Sequence, residues 1–128
     1  MRLFKLWWPP IAWAGVIFIV SGIPYLKTEL EYDYFLRKAA HVTEYFILTL
    51  LLYRAFNGSF KINRKRIFLY SACCSILYAA SDEIHQYFVL GRHCALGDVL
   101  IDSLGVVFFL AAVKFTSFGR LKYLNGAE

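Results

Sequence analysis

Four runs of apolar residues, at about 6–23, 39–56, 67–89 and 99–115, alternate with short segments that carry most of the basic side chains. Each run is close to the roughly 20 residues an α-helix needs to cross a hydrocarbon core about 30 Å thick. The pattern predicts an all-α membrane protein: one domain over residues 1–128, with four transmembrane helices in an antiparallel bundle. Polar residues inside the runs keep helical spacing. His41, Glu44, Tyr45 and Leu48 fall at i, i+3, i+4 and i+7, Asp82 and Gln86 at i and i+4, and Asp98, Asp102 and Gly105 at i, i+4 and i+7. Each set marks one helix face. Gly105 on the aspartate face predicts close approach of a neighbouring helix, and Ser71, Ala72, Ser75, Ala79 and Ala80 predict small-residue packing on the third helix.

The first run has basic residues before it, like a secretory signal, but no small-residue cleavage site follows it, so it is expected to remain as a helix. Pro9 and Pro10 are expected in its first turns, and Trp7, Trp8 and Trp13 at the membrane interface.

Composition strengthens the membrane expectation. The chain is 59% hydrophobic, 19% aromatic and 18% charged, more apolar side chain than a small water-soluble core can bury. Its net charge of +5 does not predict a nucleic-acid partner, because the basic residues flank the apolar runs rather than forming a stripe. They read as topology. Ten Lys and Arg lie on the side of the two termini and the second loop, against four on the other side, so both termini are expected in the cytoplasm. The first loop, with Glu29, Glu31 and Asp33, is then external.

This topology brings ionisable groups from three helices to one depth near the outer interface. Charged residues in a bilayer span cost roughly 2.5–3.5 kcal/mol each on insertion scales, so they are first read as functional. Asp82, Glu83, His41 and Asp98 are the candidate acid, base or cation-holding groups. Lys38 and Arg92 are candidate anion anchors, with Glu44, Tyr45, Gln86 and Asp102 completing a ligand-binding set and His93 in the nearby loop. A structural reading stands beside this one: Asp82 and Glu83 locked to Arg92 and Lys38, the histidines satisfied at helix contacts, and the cations snorkelling. His41, Glu44, Asp82, Asp98 and Asp102 offer metal-ligand chemistry, but no pair has a diagnostic spacing, so no metal is expected. The sequence specifies no cofactor. Cys73 and Cys74 are expected to pack as small apolar residues, and Cys94 to be a free thiol.

The segments Lys38-x-x-His41-x-x-Glu44-Tyr45-x-x-Leu48, Ser81-Asp82-Glu83-Ile84-His85-Gln86-x-Phe88-x-x-Gly91-Arg92 and Asp98-Val99-x-x-Asp102-x-x-Gly105, in that order, resemble the signature of the VanZ-like family of small bacterial membrane proteins. Ser21 and Pro24 are similar too. Leu90 departs from the pattern, standing where the family often has Pro. The resemblance implies a multi-pass location in the bacterial cell membrane and a role at the cell envelope, its name-giving member being associated with teicoplanin resistance. The leading expectation is recognition, extending to modification, of an anionic lipid or lipid-linked wall precursor in an outward-facing polar pocket. Two alternatives are a non-enzymatic scaffold or partner protein and a proton- or ion-coupled transporter, which four helices would form only as an oligomer.

Overall fold

The computed structural model describes residues 1–25, 31–92 and 96–115. These form four α-helices and no strand: α1 (Arg2–Ser21), α2 (Asp33–Ser59), α3 (Arg64–Tyr87) and α4 (Leu96–Phe115). Lys27, Glu29, His93, Cys94, Arg120 and Lys122 lie outside the described residues.

The helices overhang the apolar runs at most ends. α2 begins at Asp33 rather than 39, and its 27 residues extend about 40 Å at 1.5 Å per residue. Hydropathy detects only the part of a helix that suits hydrocarbon, whereas the backbone ladder continues through the charged turns.

α1 also begins early, which corrects the expected place of Pro9 and Pro10: they lie two turns inside the helix. There they leave the carbonyls of Lys5 and Leu6 without their usual amide donors. Docking on the end of α2 accompanies this irregularity. Leu6 is buried, Trp7 Nε1 donates to Ser59 Oγ at 2.8 Å, and the Trp7 ring meets Phe56 edge-on at 5.1 Å. At the start of α3, Asn63 Oδ1 accepts from the Arg66 amide at 2.9 Å, an ordinary side-chain cap. The next three residues are Arg64, Lys65 and Arg66, a sign opposite to what the helix dipole favours. Helix stability therefore does not account for that cluster.

Consecutive helices run antiparallel, but the most extensive packing joins the parallel pair α2 and α4. Their register is read from Lys38 against Asp98, His41 against Asp102 and Phe46 against Phe109. α2 is the hub, packing on all three other helices, while α1 and α3 touch only lightly. Gly105 explains the closeness. A Cβ added there would lie 2.2 Å from the Val42 carbonyl oxygen and 2.8 Å from the Phe46 nitrogen, so the α4 backbone rests directly on α2.

Two apolar clusters hold the bundle together, one around Ile17, Tyr45, Leu48 and Ala79, the other around Tyr53, Ile67, Phe109 and Val113. Buried Ser71, Ser75 and Ala79 make the small-residue stripe of α3, and the hydroxyls of Thr49 on α2 and Ser75 are hydrogen-bonded at 2.9 Å across it. Ala72 and Ala80 are only half-buried. Cys73 and Cys74 are exposed on the outer side of α3 and do not pack in the core, because the stripe that faces the bundle passes through positions 71, 75 and 79.

The exterior is apolar. Phe4, Trp8, Ile11, Phe18, Leu77 and Phe108 are among many large apolar side chains left exposed, while Asp82, Glu83, Gln86 and Asp102 are buried. α1 and α3 are long and apolar enough to cross a membrane.

Candidate functional site

The polar faces of α2, α3 and α4 meet at one end of the bundle, together with the carboxyl-terminal end of α1. Asp82, 2% exposed, is the best-satisfied carboxylate there. Its Oδ1 accepts from Ser21 Oγ at 2.6 Å and its Oδ2 from Gln86 Nε2 at 2.9 Å. Ser21 has one hydroxyl proton, and the short contact assigns it to Asp82. Its oxygen is also 3.4 Å from His85 Nδ1, and the His85 ring stacks on Phe18 at 4.0 Å between centroids. One carboxylate thus ties α3 to α1.

Asp82 and Lys38 pair differently from the expected links of the α3 carboxylates to Arg92 and Lys38. Lys38 pairs with Asp98, and Arg37 with Asp33 at 2.8 Å. His41 Nδ1 lies 3.1 Å from Asp102 Oδ1, and Asp102 is 1% exposed. Arg92 donates to the carbonyls of Val20 at 3.2 Å and Ile23 at 3.4 Å, so its positive charge sits at the negative end of α1. Burial first and the nearby Arg37 second lower the pKa of Arg92, against the opposing pull of Asp82, Glu44 and Glu83, but an arginine keeps its proton.

The loop beside Arg92 is set by Gly91, whose φ of +78° suits glycine and whose missing side chain makes room for the ring of Tyr25. The Tyr25 amide donates to the Leu90 carbonyl at 3.2 Å. A carbonyl is what Leu90 contributes to that contact, and a proline in its place would contribute the same.

Between these side chains lies a cavity of about 250 Å³, bordered by Arg37, Lys38, His41, Gln86, Arg92 and Asp98. A smaller chamber of about 50 Å³ adjoins it through Arg37, His41 and Arg92 and reaches Ser21 and Glu44. Cations dominate the lining, and the buried carboxylates Asp82, Glu83 and Asp102 lie behind them. Tyr45 borders neither chamber. It is fully buried with its hydroxyl unpaired, as is Asp102 Oδ2. Among the described residues no three His, Cys, Asp or Glu side chains converge to hold a metal ion.

Two contributors to the site were not singled out for it in the sequence. Arg37 lies four residues before His41 and seven before Glu44, the same helical stripe, so its spacing was a usable signal. Ser21 stands alone near a helix end, and only packing reveals it as the partner of Asp82.

A family model described as VanZ/LLP1 matches residues 3–117. Neither a curated protein nor a solved structure gives a match.

Proposed function

Because the chain belongs to the VanZ/LLP1 family, we propose that it is a four-span protein of the bacterial cell membrane, both termini cytoplasmic, that recognises an anionic lipid or lipid-linked wall precursor from the outer side. The observation that carries this reading is the cavity of about 250 Å³ bordered by Arg37, Lys38 and Arg92. Two of these cations already face carboxylates, and the guanidinium of Arg92 bonds only to carbonyls among the described partners, so it is the natural anchor for a phosphate oxygen. The apolar exterior and buried polar interior support a lipid environment, where charged groups turn toward the bundle. Asp98 shapes the cavity by holding Lys38, and Asp82 serves as a helix tie. Glycopeptide tolerance, teicoplanin included, would follow if the bound molecule is the drug's target or its surroundings.

Native mass spectrometry of the detergent-purified chain tests the reading. It should retain phosphatidylglycerol over phosphatidylcholine, and Arg92→Gln should remove most of that preference. A charge-assisted hydrogen bond is worth about 1.5–3 kcal/mol, so roughly tenfold or more in affinity is at stake. Arg92→Lys should recover only part, because an ammonium lacks the fork. Equal retention by all three chains would refute the anchor.

The second reading, a scaffold whose polar cluster is structural, is favoured by one specific observation: both oxygens of Asp82 are satisfied by Ser21 and Gln86.

A further inference from the structure

Resting on the head-group reading above, we infer that His41 is the proton-exchanging contact of the cavity: Asp102 faces the ring at Nδ1, and Nε2 takes up a proton as an anionic phosphate group enters.

The geometry begins with the ring itself. His41 Nδ1 lies 3.1 Å from Asp102 Oδ1, and the two nitrogens of an imidazole are on different edges, so Nε2 is directed away from that carboxylate. The same side chain borders both chambers of the site. His41 therefore stands between a buried carboxylate and the space a ligand would occupy. A carboxylate 3.1 Å from Nδ1 favours a proton on that edge of the ring electrostatically, which leaves Nε2 as the edge that exchanges one with the cavity.

Charge explains why a proton is useful there. On its own helix His41 is faced by Arg37, Lys38 and Glu44; from α4 by Asp98 and Asp102; from α3 and the loop after it by Gln86 and Arg92, with Asp82 behind them; α1 contributes uncharged Ser21. Lys38 is engaged by Asp98 and Arg37 by Asp33. An entering phosphate group thus meets Arg92 as its principal unpaired cation among the described residues. Protonating Nε2 supplies a second positive donor without breaking either ion pair. The balance is simple: a buffer acid gives up the proton, an N–H bond forms at Nε2, and no other bond of protein or ligand changes.

The experiment uses the full chain in nanodiscs of phosphatidylcholine, titrated with dihexanoyl phosphatidylglycerol by calorimetry. Runs from about pH 5.5 to 8, in buffers of different ionisation enthalpy, count protons bound with the ligand. The unaltered chain should take up as much as one proton, and its affinity should fall by up to about tenfold per pH unit as pH rises. His41→Gln should bind more weakly, with no proton uptake and no pH dependence in this range. Asp102→Asn, which keeps the shape, should move the pH dependence rather than abolish it. A separate arm with inorganic phosphate identifies the source of the anion, since proton-linked binding of phosphate alone would replace the lipid while keeping the role of His41.

Binding to the unaltered chain that ignores pH would overturn this inference and leave the head-group reading standing. Proton uptake that persists in His41→Gln would overturn it as well. Absence of binding at every pH, to lipid and to phosphate, would remove both. If either variant fails to fold, 15N NMR of the unaltered, histidine-labelled chain decides: one of its three imidazoles must gain an Nε2 proton on adding dihexanoyl phosphatidylglycerol, and none doing so ends the proposal.

Discussion

Replacing Gly105 by Ala should loosen the bundle at its tightest contact and disturb the site one turn away. The new methyl would lie 2.2 Å from the Val42 carbonyl oxygen, 2.8 Å from the Phe46 nitrogen and 3.2 Å from the Tyr45 carbonyl carbon. All three are backbone atoms, so no rotamer change relieves them. Reaching an ordinary contact of 3.4 Å requires α4 to retreat from α2 by about 1 Å. Overpacking of this kind costs typically about 1–3 kcal/mol, and rigid neighbours place this site toward the upper end. Ala gains about 1 kcal/mol over Gly in helix propensity, which offsets only part. A retreat of that size would also weaken the 3.1 Å ion-pair approach of His41 to Asp102, because Asp102 is one turn before Gly105. Gly15→Ala is the control, since a Cβ there meets nothing within 4 Å. In detergent, thermal unfolding followed by fluorescence of the three tryptophans should give Gly105→Ala a midpoint clearly below the unaltered chain and Gly15→Ala one equal to it or above. Equal midpoints for the two variants would refute the reasoning, because the propensity gain is common to both and only the contact differs.

Three further outcomes follow from the same geometry. Ser21→Ala should leave buried Asp82 Oδ1 without its 2.6 Å donor and lower stability by about 1–3 kcal/mol in the same unfolding assay, with Ser21→Thr milder if its hydroxyl keeps the contact. Gly91→Ala must adopt a φ of +78° and place a methyl 2.4 Å from the Tyr25 ring, so it should weaken phosphatidylglycerol retention by displacing Arg92; undiminished retention would show that the loop does not position that residue. With Cys73, Cys74 and Cys94 replaced, a cysteine at Glu31 should react with an impermeant thiol reagent in intact cells and one at Asn63 should not, and the reverse labelling pattern would turn the site to the cytoplasm.

Sequence alone determined the features that depend on spacing along one helix. The stripes of His41 and Glu44, of Asp82 and Gln86, and of Asp98, Asp102 and Gly105 each lie on one face because an α-helix repeats every 3.6 residues whatever surrounds it. Gly105 as a point of close approach was legible for the same reason: on a face otherwise lined by larger side chains, a missing Cβ is a local fact. The four helices were legible as apolar runs, with ends displaced because charged turns extend a helix without changing its apolar length. Partnership was not legible. Whether Lys38 meets Glu83 or Asp98 depends on how far two helices rotate and slide against each other, and nothing within either helix encodes that. The parallel contact of α2 with α4 decided it, turning Lys38 onto Asp98 and His41 onto Asp102 across about sixty residues of chain. It also left Asp82 to Ser21 at the end of α1 and Arg92 to backbone carbonyls, which carry no side-chain signal for a sequence to display. Pro9 and Pro10 inside α1 belong to the same class: the docking of Leu6 and Trp7 on the end of α2 is a tertiary contact, whereas local rules read the pair as a helix start.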